Sequence, residues 1–328
     1  MTATVAEPTH RIRVDHPSAA YAAARVAREA AHATGLPDVL AERAAVVAAE
    51  LAGNIDKHTA GGSVFVQRSL IGRGIDVLAA DDGPGMADLD HWLLDGNTTT
   101  ATLGTGLGAV HRMATEFRIR SSPATGTLAA ARLLVPPPYG GAIGHFRLAR
   151  EGEQHCGDAV ALADVTGGRT AVVADGLGHG PDAAEAADAA VRVFLENPDR
   201  PLPHQLTNMH RALRTTRGAA VALIRITPRR LEFCGVGNVS GASVGAGPSR
   251  LLLSTPGIVG FTLPSAPVRH VELAEGDVVV LHTDGVGTGW RVPGRVPDLL
   301  LLATELAHRH RNPRDDAAVL ALRVERAA

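Results

Sequence analysis

The chain has 328 residues, too many for one typical core and suited to two domains. It is 45% hydrophobic and 20% charged, an ordinary globular balance, and its net charge of -2 leaves no electrostatic footprint for nucleic acid or an anionic membrane. The two cysteines, Cys156 and Cys234, lie far apart and form no CxxC pair, which excludes a disulfide framework and a zinc–thiolate cluster and fits a reducing cytoplasm. All but one of the 32 basic residues are Arg, the exception being Lys57, a bias read as codon usage. "MTATVAEPTHRIRVDHP" has no apolar segment of signal-peptide type, and no apolar run approaches the ~20 residues that span a bilayer.

In chain order, residues 17–34 and 38–59 are alanine-rich helical patterns separated by Gly35-Leu36-Pro37. "SVFVQRSLI" and "GIDVLAADD" read as strands joined at Gly72-Arg73-Gly74 like a hairpin. "GLGAVHRMATEF" is helical, and "FRIRSS" and "GTLAAARLLV" close the segment as strands. Helices on one side of a mostly antiparallel sheet give an α/β sandwich. "LVPPPYGGAIG" then breaks the pattern, because three prolines followed by glycines continue neither helix nor strand. This predicts one domain over 10–136, a linker over 137–142 and a second domain over 143–326. The second is rich in short strands, interrupted by helical stretches near 181–196, 203–214 and 297–309. Two packed sheets flanked by helices account for that content.

Three segments of the first domain carry chemistry. "ELAGNIDKHT" places Glu50, Asn54 and His58 on one helical face, where an alanine and leucine helix has no packing need for them; an exposed amphipathic face is the plain alternative. "DDGPGM" ends a strand with Asp81, able to accept an exocyclic amino group, and with Gly83 and Gly85, which let backbone approach a ligand; a hairpin turn is the alternative. "LGTGLGAVHRM" is glycine-rich and opens directly into a helix, so its free N–H groups suit phosphates; it lacks the Lys of a P-loop and does not follow a strand.

Together and in this order, the three segments resemble the N, G1 and G2 boxes of the GHKL ATPase superfamily, with its Bergerat α/β sandwich. Gly126-Thr127 resembles the family's Thr beside adenine, and "DGNTTTATLGTGLG" resembles the short ATP lid of RsbT-like members among the anti-sigma-factor serine kinases of RsbW type. The resemblance implies that Asn54 holds the Mg²⁺ of ATP, that Asp81 reads adenine with Thr127 beside it, and that Gly104, Thr105, Gly106, Leu107 and Gly108 wrap the phosphates. Glu50 becomes the base for a protein hydroxyl. Lys57 either reaches the phosphates or is only the one lysine of the composition.

In the second domain, carboxylates stand at strand ends: Asp158 in "CGDAVAL", Asp175 in "ADGLGHG", Asp284 in "HTDGV" and Asp315-Asp316 in "RDDAAVL". An Asp after an apolar strand is often only a turn residue, but several gathered from distant segments suit a binuclear Mg²⁺ or Mn²⁺ site. These motifs, with "GVGNV", appear in the order of the PPM (PP2C-like) phosphatases of the SpoIIE-like branch, and residues 257–286 resemble RsbX-like phosphatases. The resemblance implies an αββα sandwich in which Asp175 bridges two Mn²⁺ or Mg²⁺ ions, Gly176 adds its carbonyl, Asp284 and Asp315 complete the second ion's ligands, and Asp158 acts through water. Asp316 stands behind them. His179 either protonates the leaving alkoxide or packs the loop.

The two resemblances imply opposed chemistries in one chain, as in bacterial partner switching. A cytoplasmic bifunctional regulator follows, acting on STAS-domain anti-sigma antagonists or stressosome-type phosphoproteins, with a sigma factor or downstream phosphatase among its other partners and a homodimer as an oligomeric option. Competing readings are an ATP-gated binding module that controls the phosphatase without transferring phosphate, and a degenerate phosphatase used as a scaffold. A histidine kinase is disfavoured because no phospho-acceptor His box precedes the first domain.

Overall fold

The computed structural model describes residues 2–86, 106–135, 143–290, 296 and 298–325. Their contacts divide the chain into two compact units. One comprises Thr9–Tyr139 with Leu300–Arg309, the other Met1–Pro8, Gly140–Leu299 and His310–Ala328.

The chain begins with strand β1 (Ala3–Val5), which pairs in the second unit, and then enters the first unit with β2 (His10–Val14). Helices α1 (Ala19–Ala33) and α2 (Asp38–His58) follow, then strands β3 (Gly62–Arg68) and β4 (Arg73–Asp81). Helix α3 (Gly106–Met113) and strands β5 (Glu116–Ser122) and β6 (Gly126–Val135) complete the unit. The strands form one antiparallel sheet in the order β2-β3-β4-β6-β5.

Spacing explains how the helices seat on it. α1 buries Ala19, Ala23, Ala27 and Ala31, one residue in four, and α2 buries Ala41, Ala44, Ala48, Leu51, Ala52 and Ile55. The narrow alanine ridges let the helices lie close to each other and to Val64, Val66, Ile75, Val77, Ala129 and Ala131 of the sheet. Within the sheet, Arg132 is buried and donates through Nε to Asp76 Oδ1 at 2.8 Å, so neither buried charge is left alone.

The second unit contains β7 (Ile143–Leu148), β8 (Asp158–Val165), β9 (Gly168–Gly176), α4 (Pro181–Glu196) and α5 (Leu202–Ala212). Next come β10 (Ala219–Thr227), β11 (Arg230–Val236), β12 (Ser240–Val244), β13 (Arg250–Leu253), β14 (Arg269–Glu272) and β15 (Val278–His282). The chain then passes through α6 (Leu299–Glu305), which except for Leu299 counts with the first unit, and returns in β16 (Ala317–Arg323). One sheet runs β1-β8-β9-β10-β11-β14 and the other β13-β12-β15-β16-β7. α4 and α5 cover one face of the first sheet, packing Ala187, Phe194, Leu206 and Met209 on Ala159, Ala161, Val172 and Ala174. β16 of the second sheet stacks against β8 and β9. This is the expected sandwich of two sheets with flanking helices, and the first unit is the expected α/β sandwich.

Three strands escaped the sequence reading, β1, β2 and the four-residue β13. β2 follows a run of mixed polar residues, and the three residues of β1 are too few to show a period.

Candidate metal centre and nucleotide site

Register brings the acids of the second unit to one end of the sandwich. Asp158 opens β8 and Asp175 closes β9, and the two are direct cross-strand partners. β10 pairs on the other side of β9, with Ala220 opposite Asp175. In the second sheet, β15 ends at His282 and β16 starts at Ala317, with His282 opposite Val319. Asp284 therefore follows one strand and Asp315-Asp316 precede its neighbour, at the same edge. The two sheets are stitched there by Thr283, whose hydroxyl donates to Asp158 Oδ2 at 2.7 Å.

Close approach explains the glycines beside the acids. A Cβ on Gly176 would stand 2.0 Å from the carbonyl oxygen of Ala183 in α4, and one on Gly285 would stand 1.8 Å from the carbonyl oxygen of Asp316. Any side chain at either position would force the strand ends apart.

The carboxylates sense one another. Burial first, then the negative charge of Asp284 and Asp315, push Asp175 up to about 8. Burial and the charge of Asp175 hold Asp158 well above the carboxylate range. Asp315 is raised by burial and by Asp284. Asn238 relieves part of this repulsion: it donates from Nδ2 to Asp284 Oδ2 at 2.6 Å and also hydrogen-bonds Asp175. The donors are all hard oxygens, and a divalent cation would offset the mutual repulsion of the carboxylates, so the set fits Mg²⁺ or Mn²⁺. The acids are near enough to shift one another's protonation, yet among the described residues no three His, Cys, Asp or Glu side chains already converge as a finished ligand group.

The two acids of the "DD" pair part company. Asp315 is near enough to Asp284 to feel its charge. Asp316 is buried and accepts the backbone N–H groups of Arg150 at 2.8 Å and Gly157 at 2.9 Å, fixing the turn that leads into Asp158. Arg147 supports the same turn from below, donating to the carbonyl oxygens of Asp158 at 2.5 Å and Cys156 at 3.2 Å. His179 lies on the exposed loop after Gly176, with Nδ1 3.0 Å from Glu153 Oε1. Cys156 is buried, and burial drives its thiol far above the usual range, so it is unreactive.

In the first unit, Glu50 and Asn54 lie half-buried on α2, whereas Lys57 and His58 are exposed in its last turn. The Asn54 amide nitrogen is buried without a hydrogen-bond partner among the described residues. A donor-rich group left in that condition fits a ligand oxygen. Asp81 is buried at the end of β4, and burial raises its carboxyl even though Oδ1 accepts the Gly83 N–H at 2.8 Å. Thr127, opposite Asp81 in the register, holds its hydroxyl 2.9 Å from that of Ser121. Ser121 in turn accepts the Met86 N–H at 2.8 Å, so the turn through Gly85 is tied to β5. Gly106, Leu107 and Gly108 form the first turn of α3, while Gly104 and Thr105 lie outside the described residues. α3 packs on α2, the helix that carries Glu50 and Asn54. The sequence reading missed Asn238, Thr283 and Arg147 as site residues. Only Asn238 carried a signal, an asparagine in "GVGNV" among the acidic motifs.

Comparison with known proteins supports both halves. Residues 15–132 match the model of the histidine kinase-like ATPase domain, and residues 166–288 match that of stage II sporulation protein E (SpoIIE). The chain is 32% identical over 108 residues to the serine/threonine-protein kinase RsbT of Bacillus subtilis (strain 168), covering 32% of this chain and 81% of RsbT. It is 27% identical over 156 residues to the phosphoserine phosphatase RsbX of the same organism, covering 43% of this chain and 72% of RsbX. A solved chain described as "The bacterial stressosome: a modular system that has been adapted to control secondary messenger signaling" superposes on 56% of this chain and all of its own length, with TM-score 0.51 and 33% identity.

Proposed function

From a chain that belongs to the partner-switching family, with a histidine kinase-like ATPase domain and a SpoIIE-type phosphatase domain, we propose a bifunctional switch enzyme. Its second half is a metal-dependent phosphoserine and phosphothreonine protein phosphatase. Its first half binds ATP with Mg²⁺ and phosphorylates a serine or threonine of a partner protein. The substrates we infer are STAS-domain antagonists or stressosome-type proteins, met in the cytoplasm. Among the described residues, no helix is long and apolar enough to cross a membrane.

The observation that supports this reading most is the gathering of Asp158, Asp175, Asp284 and Asp315 at one edge of two sheets. Two Mn²⁺ or Mg²⁺ ions held by Asp175, the Gly176 carbonyl, Asp284 and Asp315, with Asp158 acting through water, would supply Lewis acidity and hydroxide at neutral pH. The chain's own residues supply placement. Asn238 orients Asp284, Thr283 orients Asp158, and Asp316 holds the turn before Asp158. His179, held by Glu153, stands on the following loop, where it can protonate a leaving alkoxide. In the first unit, Asn54 takes the phosphate side of ATP, Asp81 the adenine amino group, Gly106 to Gly108 the phosphate oxygens, and Glu50 the proton of the attacking hydroxyl.

The test uses the full chain. Hydrolysis of p-nitrophenyl phosphate should require Mn²⁺ or Mg²⁺ and vanish in Asp175→Asn and Asp284→Asn; activity unchanged in both variants overturns the assignment. Incubation with ATP and a STAS-domain protein should yield phosphoserine or phosphothreonine dependent on Glu50. Bound ATP with no phosphotransfer would make the first unit a gating module instead.

A further inference from the structure

We propose that Leu177 and Phe261 form an apolar docking step at the mouth of the metal centre, which selects phosphoprotein segments carrying a large apolar residue near the phosphorylated serine or threonine. The inference rests on the phosphatase reading above.

Both side chains are exposed although large and apolar, Phe261 at 61% and Leu177 at 38%. Both stand on the same backbone. Leu177, two residues after Asp175, donates its N–H to the Gly218 carbonyl at 3.0 Å. The Phe261 ring lies against Gly218, so that a Cβ there would stand 2.8 Å from Cδ2 of the ring. Gly218 immediately precedes Ala219, the cross-strand partner of Gly176. The turn carrying Phe261 is pinned in turn, because Val259 and Ala219 exchange both backbone hydrogen bonds, at 2.9 and 3.0 Å, and His210 Nδ1 accepts the Gly260 N–H at 3.0 Å. An exposed aromatic ring seated on fixed backbone loses little freedom when a partner covers it, which is the character of an anchor in a protein interface.

The rim says which partner. Beside Leu177, the Arg217 guanidinium would stand 3.1 Å from a Cβ on Gly178 and pairs with Asp182 at 2.6 Å. Arg217 and Asp182 neutralise each other, so beside the acidic centre the rim at Leu177 offers the flank of a phosphorylated segment apolar surface and not a free charge. A second copy of this chain brings no phosphoryl group to the centre, so the proposal commits to the phosphoprotein.

The full-length protein with Mn²⁺ is assayed on two synthetic phosphoserine peptides that differ only in having leucine or glycine flanking the phosphoserine, and on p-nitrophenyl phosphate. We expect wild type to favour the leucine peptide about tenfold in kcat/KM, mainly through KM, as a buried apolar anchor does. Phe261→Ser and Leu177→Ser should each flatten that ratio. p-Nitrophenyl phosphate turnover and circular dichroism report whether each variant remains folded. A wild type indifferent to the flank, or a folded Phe261→Ser/Leu177→Ser double variant that keeps the preference, overturns the proposal. A wild type that hydrolyses none of the three substrates overturns the phosphatase reading itself.

Discussion

Replacing Asp175 with Asn should stabilise the metal-free protein while abolishing its response to metal. The Asp175 carboxyl sits near 3.8 in the unfolded chain and is pushed up to about 8 in the folded one by burial and by Asp284. A group whose folded pKa is raised binds its proton more tightly in the native state, so its contribution is intact below about pH 4 and is lost as pH climbs through 8. At pH 7, roughly three units separate the unfolded pKa from the medium, which corresponds to ~4 kcal/mol at most. Repulsion is shared with Asp284 and Asp315, and solvent relaxes around the site, so about half that value, ~2 kcal/mol, is the reasonable expectation. For a unit of this size, that is a rise of about 4–8 °C in Tm. Asparagine keeps the volume and can donate to Asp284. The assay is thermal unfolding in EDTA and in Mn²⁺ between pH 5 and 8. Wild type should lose stability across that range in EDTA and regain it with Mn²⁺, whereas Asp175→Asn should show a shallower loss and little gain. A variant less stable than wild type at pH 8 in EDTA, or one stabilised equally by Mn²⁺, would refute the reasoning.

Asp316→Ala strips the acceptor from two backbone N–H groups and should destabilise the second unit by ~2–4 kcal/mol in urea unfolding, with Mn²⁺ affinity falling as the Asp158 turn loosens. Gly176→Ala places a methyl 2.0 Å from a helix carbonyl and should cost ~2 kcal/mol or more, read as a lowered urea midpoint. Asp81→Asn should weaken ATP binding about 10- to 100-fold in titration calorimetry and reduce the preference for adenine over guanine nucleotides. Asn54→Ala should weaken ATP binding chiefly when Mg²⁺ is present, if its buried, unpartnered amide serves the phosphate end as proposed.

Much of this architecture was legible in the residues because the informative patterns were long. The alanine ridge of α2 and the apolar run of β9 announce themselves by period, and the strand-end acids follow from where those runs stop. The roles of Asp315 and Asp316 were less accessible. Adjacent aspartates look identical in sequence, and only the fold shows that one is near enough to Asp284 to feel its charge while the other is taken up by the N–H groups of Arg150 and Gly157. Asn238 was similarly ambiguous, since an asparagine beside glycine reads as a turn until the register sets it against Asp284. Arg147 had no local signal, because its partners at Asp158 and at Ala6, the latter at the other end of the chain segment it joins, are backbone carbonyls, and carbonyls carry no sequence signature.

β1 has a consequence for dissecting the protein. Ala3–Val5 pair with Ala161–Ala163 at the border of the first phosphatase sheet, Ala6 donates its N–H to Val160 at 2.8 Å, and its carbonyl accepts from Arg147. The first unit is thus inserted in the chain of the second, after its opening strand, and takes up Leu300–Arg309 as well, so the two units are not separable by one cut. A fragment starting near residue 143 would have a bare β8 ladder and an under-supported Asp158. Its weak catalysis would reflect surgery on the sheet, not the loss of a regulator. Supplying residues 2–8 as a free peptide, or rejoining them by circular permutation, would restore that border and allow each half to be weighed alone.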